Sequence, residues 1–382
     1  MEKCALSRRD FIRSLAGTGC ALGLGVGCTA QANDPTPVGQ PPGVDTAHPA
    51  RFWHAMKQNA IQCELCPHGC TIEPKSTGFC RVRYNKSGKL VSLAYGAPVT
   101  YHNDPIEKKP LNHVLPGTTA FSLATLGCNL TCQHCQNWEL SQAKPGDLPS
   151  YGWSPGEVAR RAKEAGSSSV AFTYNEPTIW TEYVSDTIDQ AQALKIPTVM
   201  ISNGFIQQTP QRELARKLFA YKVDLKGFTE KFYSDICGAH LKPVLDGMVR
   251  IKEEGCWLEI VTLLIPTLND SPQELKALVD WVNANLGPDV PIHFTRFMPM
   301  YRLRNLPRTP VETLETAHKI AKDKGLHFPY IGNVPGHPAG DTYCPHCGEK
   351  LIARYGFSPN ILALKNGKCI KCQTAIPGRW TV

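Results

Sequence analysis

The sequence predicts an α/β protein: a full or partial (β/α) barrel with small metal-binding segments at its N- and C-terminal ends. Three observations carry that expectation. Strand and helix patterns alternate for over two hundred residues from Thr119 onward, which is the mark of βα units and a parallel sheet. About six or seven such repeats occur, and no Gly-x-Gly-x-x-Gly motif opens the first, which favours a barrel over an open doubly wound sheet. The cysteines fall in tight groups before, at the start of and after this region, at spacings that suit metals better than disulfides.

The elements follow in order. A hairpin is expected where 79–84 and 90–95 flank Asn85-Lys86-Ser87-Gly88. The alternating region opens with a strand at 121–126. Ser154-Pro155 supplies an N-cap and a first-turn proline for a helix that Gly166 ends. A strand at 169–174, a helix at 178–194 and a strand at 198–202 come next. A helix at 211–219, a strand at 222–225 and a helix at 243–254 continue the series. The last units are a strand at 257–264, a helix at 272–285, a strand at 292–298, a helix at 311–324 and a strand at 327–331. These patterns divide the chain into a leader (1–32), a Pro/Gly/Asn/Asp-rich linker (33–50), a four-cysteine region (51–116), the barrel (117–335) and a C-terminal segment (336–382).

With 382 residues, 42% hydrophobic and 19% charged, the chain reads as an ordinary globular protein. The net charge of +8 is spread out, and the first 32 residues carry +2 of it, so a nucleic-acid surface is not indicated. Ser7-Arg8-Arg9-Asp10-Phe11-Ile12-Arg13, followed by a Gly/Ala/Leu-rich stretch, resembles a twin-arginine export signal. Ala30-Gln31-Ala32 offers a cleavage site, and Gly27-Cys28 a lipoprotein junction; an unprocessed N-terminus is the plain alternative. The apolar run is shorter than the roughly 20 residues a spanning helix needs, which argues against a permanent membrane anchor.

Sixteen cysteines are present. Cys128, Cys132 and Cys135 sit on the loop straight after the first barrel strand, and barrel chemistry sits at such strand ends. An iron–sulfur cluster held by protein alone takes four thiolates, so three in one loop leave an iron open for a chelating ligand. A zinc site completed by His134, or a cluster used only for electron transfer, are the alternatives. Other polar groups fall at the ends of successive strands: Glu176 after the second, Asn203 after the third, Asp224 and Lys226 after the fourth. Each alone would pass for an ordinary strand cap or turn.

Together these motifs resemble the radical S-adenosylmethionine (SAM) superfamily, and with the flanking cysteines the radical SAM component of the AmmeMemoRadiSam system, a relative of pyruvate formate-lyase activating enzyme. The resemblance spans about Cys63 to Cys372. It implies an enzyme that binds SAM at a [4Fe–4S] cluster and cleaves it reductively to a 5′-deoxyadenosyl radical, for hydrogen abstraction from a small molecule or a protein. Glu176 then matches the acid that meets the SAM amino group, although Tyr174 and Asn175 replace the two glycines of that motif; Asn203 falls near the ribose, and Asp224 and Lys226 match an Asp-x-Lys segment. Arg296 and His337, on later strand-end loops, are candidates for facing substrate. A low-potential donor such as flavodoxin or ferredoxin is implied, which fits the cytoplasm better than the exported destination of the leader. Two other readings are an exported iron–sulfur electron carrier and a nucleic-acid modifier docking through its C-terminal segment.

Cys344, Cys347, Cys369 and Cys372 form two Cys-x-x-Cys knuckles, the pattern of a zinc ribbon, with a rubredoxin-like iron as alternative. Cys63, Cys66, Cys70 and Cys80 form a second closed set, for zinc or for an auxiliary cluster. Cys237 and Cys256 lack partners at metal spacing and read as core residues.

Overall fold

The computed structural model describes residues 47–382; the expected export signal with Cys4, Cys20 and Cys28, and most of the expected linker, lie outside the described residues. Eight strands form one sheet whose spatial order is their chain order. They are β1 (Thr100–Pro105), β2 (Thr119–Ala124), β3 (Ser169–Phe172), β4 (Thr198–Ser202), β5 (Ala220–Asp224), β6 (Trp257–Leu264), β7 (Ile292–Arg296) and β8 (Pro329–Gly332). Strands β2 to β8 run parallel, while β1 joins β2 antiparallel, so the sheet is a partial barrel with β1 and β8 as its two edges.

The crossovers are α1 (Pro155–Glu164), α2 (Thr181–Ala193), α3 (Gln208–Lys217), α4 (Leu241–Glu253), α5 (Pro272–Leu286) and α6 (Val311–Asp323). Local chemistry sets their ends: Ser154 Oγ accepts the Glu157 N–H and Ser271 Oγ the Glu274 N–H, each ahead of a first-turn proline. Alternation sets the two faces of the sheet. Val170, Phe172, Met200, Tyr221, Val223, Ile260 and Phe294 pack with apolar residues of the helices. The opposite face carries Ala120, Ala171, Val199, Ile201 and Ala220, small enough to receive Ile106, Leu111, Val114 and Leu115 from the β1–β2 connection.

Below that plug, the fully buried Glu259 of β6 accepts the N–H groups of Asn112 (2.9 Å) and His113 (2.8 Å) and meets Nε2 of His293 on β7 at 2.8 Å. His113 in turn spans Pro377 O and the Tyr330 hydroxyl of β8, both at 2.6 Å, and Tyr330 reaches Thr342 at 2.8 Å. One buried network thus ties the inner connection, three strands and the C-terminal segment together. The C-terminal segment adds a small antiparallel sheet of Thr342–Tyr343, Lys350–Tyr355 and Ser358–Ile361 around its own core.

Most expected elements are present within two or three residues, and 198–202 and 257–264 coincide with β4 and β6. Two differences have physical causes. The hairpin strands are Arg83–Lys86 and Lys89–Ser92, joined by Ser87 and Gly88 alone, both at positive φ as a tight hairpin turn requires. Asn85 stays in the strand because its buried amide donates to Asn59 O and Ile72 O and accepts the Gly88 N–H. Strand β1 was not expected: Thr-Tyr-His-Asn-Asp-Pro has no apolar alternation, as suits a half-exposed edge. Among the described residues, no helix is long and apolar enough to cross a membrane.

His113 generates a prediction. Burial pushes its pKa from 6.5 down to about 4. The unfolded chain therefore binds more protons between those values, and stability falls as pH falls from 6.5 toward 4. Wild-type protein should lose about 2 kcal/mol more than His113→Asn between pH 7 and pH 5 in urea titrations; equal losses would remove His113 from the account.

Candidate functional site

The loop of residues 127–135 follows β2 at the C-terminal end of the sheet, and its backbone is held from every side. Gly127 N–H donates to Leu140 O (2.9 Å), and Asn175 Nδ2 donates to Gly127 O (3.0 Å). Asn129 O meets His68 Nε2 at 2.7 Å, while the Asn129 amide donates to Phe205 O (2.7 Å) and accepts from Asn203 Nδ2 (2.8 Å). Thr131 and Gln133 N–H groups donate to Cys237 O and Ile236 O, both at 2.9 Å. Gly127 itself is required twice over. Its φ is +85°, and a Cβ there would stand 2.3 Å from the Cys80 carbonyl oxygen.

Held in this way, Cys128 and Cys132 are buried and Cys135 is half-buried. Polar hydrogens surround the sulfurs: Leu130 N–H donates to Cys128 Sγ at 3.4 Å, and Ser141 Oγ lies 3.5 Å from Cys135 Sγ. Asn203 Nδ2 stands 4.0 Å from Cys128 Sγ. Burial pushes the Cys128 and Cys135 thiols up. Cys132 is held down by the buried Cys237 thiol and the Lys226 ammonium beside it. Such buried thiols, ringed by donors, suit a metal centre that takes over their charge. His134 is buried with Nδ1 unpartnered, and burial pushes its pKa down to about 3. Its ring nitrogens do not gather with the three sulfurs into one tight group, so the zinc alternative has no formed site among the described residues.

The strand-end residues converge here. Glu176, after β3, is buried: its carboxylate accepts from Thr178 N–H (2.9 Å), Ser202 Oγ (2.7 Å) and Asn203 N–H (2.8 Å). It therefore braces the end of β4, and its charge is felt by Cys128. Tyr174 adopts φ +70°, so the left-handed backbone that a glycine would take freely is kept by an aromatic residue under strain. Asp224 lies between the ammonium groups of Lys222 and Lys226, the latter at 2.9 Å. Burial opposes its ionisation, but the two lysines outweigh burial and hold its carboxyl well below the usual range. Deeper in, Asp104 binds Lys109 (2.5 Å) and the Tyr174 hydroxyl; burial pushes Lys109 down to about 8, against the pull of Asp104.

Two candidates stand apart. Arg296 Nε donates to Thr309 O at 2.7 Å, which ties it to its own loop. His337 caps a short turn, pairs with Glu315 at 3.2 Å and lines a cleft of about 710 Å³ between α6, β8 and the C-terminal segment. That cleft is also lined by His318, Tyr343 and Cys344, and by none of the residues of the 127–135 loop. Conversely, Cys237 is brought in, although its lack of a partner at metal spacing reads only as a core role. It is fully buried as expected, but at the end of a turn of π-helix (Tyr233–Cys237) whose carbonyls clamp the cysteine loop. No spacing signal reaches it across the hundred residues from Cys132.

Residues 122–282 match the profile of the Radical SAM superfamily. An uncharacterized protein of Methanocaldococcus jannaschii is 41% identical over 315 residues, 82% of this chain and 94% of that one. The chain belongs to the radical SAM superfamily. It is an enzyme of that class, and the class implies a [4Fe–4S] cluster and SAM. A GTP 3′,8-cyclase of Limosilactobacillus fermentum is 22% identical, over 60% of this chain and 74% of that protein. Among solved structures, a domain of pyruvate-formate lyase-activating enzyme from Bacteroides vulgatus covers 44% of this chain and 100% of its own, with 18% identity and a TM-score of 0.39.

The donor set fits the cluster the family implies. Three thiols share one rigid loop, N–H and O–H groups face their sulfurs, and the sulfurs are not drawn together as they are in the four-cysteine C-terminal group. Gly127→Ala should strain this loop by a few kcal/mol, combining a disfavoured φ with a clash against backbone. The expected outcome is a lower melting temperature and reconstituted protein that loses iron from this loop; an unchanged iron content and melting point would show that the loop tolerates the shift.

Proposed function

We propose that this radical SAM enzyme carries its cluster on Cys128, Cys132 and Cys135, and that Glu176, Asn203, Asp224 and Lys226 organise the SAM site. The observation that carries the reading is the convergence of four strand ends on one loop of three thiols. When bound, the reduced cluster supplies one electron to SAM, giving methionine and a 5′-deoxyadenosyl radical that takes hydrogen from the substrate.

The chain's own residues bind, orient and shield. Asn175 Oδ1 is buried with no partner and is an acceptor free for an ammonium group. Glu176 holds Ser202 and Asn203 in place and adds negative charge beside the same spot, which favours the amino end of SAM. Asn203 links the end of β4 to the cysteine loop through Asn129, so its direct role lies at the cluster. Lys226 places positive charge near Cys132, and Asp224 fixes that ammonium. Cys237 enters through its main chain, whose carbonyl accepts the Thr131 N–H at 2.9 Å, and not as a fourth ligand. The open iron is thereby preserved for SAM.

For the C-terminal segment the reading is a structural zinc ribbon. Its sulfurs pair at 3.5 Å (Cys344 with Cys372) and 3.7 Å (Cys347 with Cys369), close to the roughly 3.8 Å edge of a tetrahedron with 2.3 Å Zn–S bonds. A protein substrate, as in glycyl-radical activation, and a flavodoxin- or ferredoxin-type donor remain part of this proposal, as does export through the leader.

Anaerobically reconstituted protein given dithionite and SAM should form 5′-deoxyadenosine, and Cys132→Ala should lower its rate to background. Cys237→Ala should keep its iron and still cleave SAM. If Cys237→Ala loses the cluster while Cys132→Ala cleaves SAM at the wild-type rate, the assignment fails.

A further inference from the structure

We propose that Cys63, Cys66, Cys70 and Cys80 hold a second iron–sulfur cluster, fully ligated by protein, that relays electrons to the centre on Cys128, Cys132 and Cys135. The inference rests on the preceding reading for the identity of the acceptor only.

The four thiols form one site. Cys63 N–H donates to Cys70 O at 2.9 Å, closing the loop between them. A Cβ on Gly78 would lie 3.6 Å from Cys70 Sγ, so the segment that leads into Cys80 packs against Cys70. Sulfur spacing separates the two metals that four thiolates can take. Among the described residues, only the C-terminal four have all their sulfurs within 4.8 Å of one another, as a single tetrahedral ion requires. The N-terminal four stand wider, as do Cys128, Cys132 and Cys135. A four-iron cluster places separate irons behind each thiolate and holds the ligands further apart. The same chain thus contains one set spaced for a single ion and two spaced for clusters.

The surroundings point the same way. Phe79 N–H donates to Cys70 Sγ at 3.4 Å. Arg83, three residues after Cys80, is 1% exposed. Two of its nitrogens bind Glu182 and Arg51 O, but Nε is buried with no partner. A buried donor left over this close in the chain to Cys80 is accounted for by an electron-rich group at these thiols, since donors near the sulfurs stabilise a reduced cluster.

Placement gives the direction of flow. Cys80 is buried with its carbonyl oxygen against Gly127, the residue before Cys128. His68, between Cys66 and Cys70, meets Asn129 O at 2.7 Å, between Cys128 and Cys132. On the far side Cys70 is partly exposed and Phe79, stacked on His68, is 39% exposed. Four protein thiolates leave no iron open to substrate, so electron transfer is the role left. One electron enters from a low-potential one-electron carrier, passes to the second centre, and there breaks the C5′–S bond of SAM; the carrier is oxidised and the sulfonium is reduced to the thioether of methionine.

The test uses the full chain, reconstituted anaerobically, with iron, sulfide and zinc counted per chain. Wild-type protein should hold about eight irons and one zinc. The variant Cys128→Ala/Cys132→Ala/Cys135→Ala should keep about four irons, with an electron paramagnetic resonance signal that SAM does not change. An iron-free triple variant with two zincs would overturn the second cluster and leave the SAM site untouched. Cys63→Ala/Cys66→Ala should retain the SAM-responsive signal and cleave SAM with dithionite, but at least tenfold more slowly with reduced flavodoxin as donor. Equal rates with flavodoxin would overturn the relay. Loss of cleavage in wild-type protein would instead strike the preceding reading.

Discussion

A loop can offer three thiolates to one metal centre only if its backbone is fixed from outside, because three charges that must converge repel one another. Here the fixing is done by hydrogen bonds, and few of them are local. The main-chain groups of 127–133 find partners on the short helix at Trp138–Ser141, on the β3 end, on the π-turn at Tyr233–Cys237 and on the N-terminal cysteine loop, while the Asn129 side chain ties the loop to the β4 end. A buried loop needs such complete satisfaction, since each orphaned main-chain group would cost about 1–3 kcal/mol. The cysteine loop is therefore a product of the whole sheet, and its geometry holds only while the neighbouring strand ends keep their register.

That constraint explains why strand-end side chains do double duty. Glu176 and Asn203 lie beside the candidate SAM site, yet most of their bonds are to the protein. Their internal bonds pre-organise polar groups that would otherwise have to reorient when a charged ligand arrives. The Lys222–Asp224–Lys226 row works alike: one carboxylate fixes two ammonium groups and leaves a net positive charge at the end of β5. The partial barrel makes room for this by packing alanines against the inner plug and leaving the larger side chains to the helix-covered face.

Much of this was legible in the residues. The nearly unbroken apolar run of Trp257–Leu264 and the Ser-Pro starts of α1 and α5 are local signals, and the structure follows them. The cysteine triplet, with polar residues at successive strand ends, carried the superfamily. What was illegible depends on distance. Asn85 is a turn residue by propensity and a strand residue here, because its amide is taken by carbonyls 13 and 26 residues away. Cys237 has no partner in sequence and meets the cysteine loop only through the fold. The metal at Cys63–Cys80 could not be read either, since thiolates serve zinc and iron alike; the spacing of sulfurs in space, not in sequence, separates them.

The three cysteine groups then differ in the number of ligands the protein supplies and in how the surroundings treat the sulfurs. The C-terminal four lie in a small segment with a modest core of its own, where a closed ion offsets the lack of apolar burial. The N-terminal four are set between solvent and the catalytic loop, tethered by the buried Arg83–Glu182 pair at 2.9 Å. Because breaking such a pair would strand a charge inside the protein, that tether resists loosening far better than a surface contact would. An electron carrier gains from such rigidity: the separation of donor and acceptor stays fixed while substrate and SAM come and go. The triplet alone offers three thiolates, and the further thiol the fold brings up, Cys237, meets the loop through its main chain, whose carbonyl holds the Thr131 N–H at 2.9 Å.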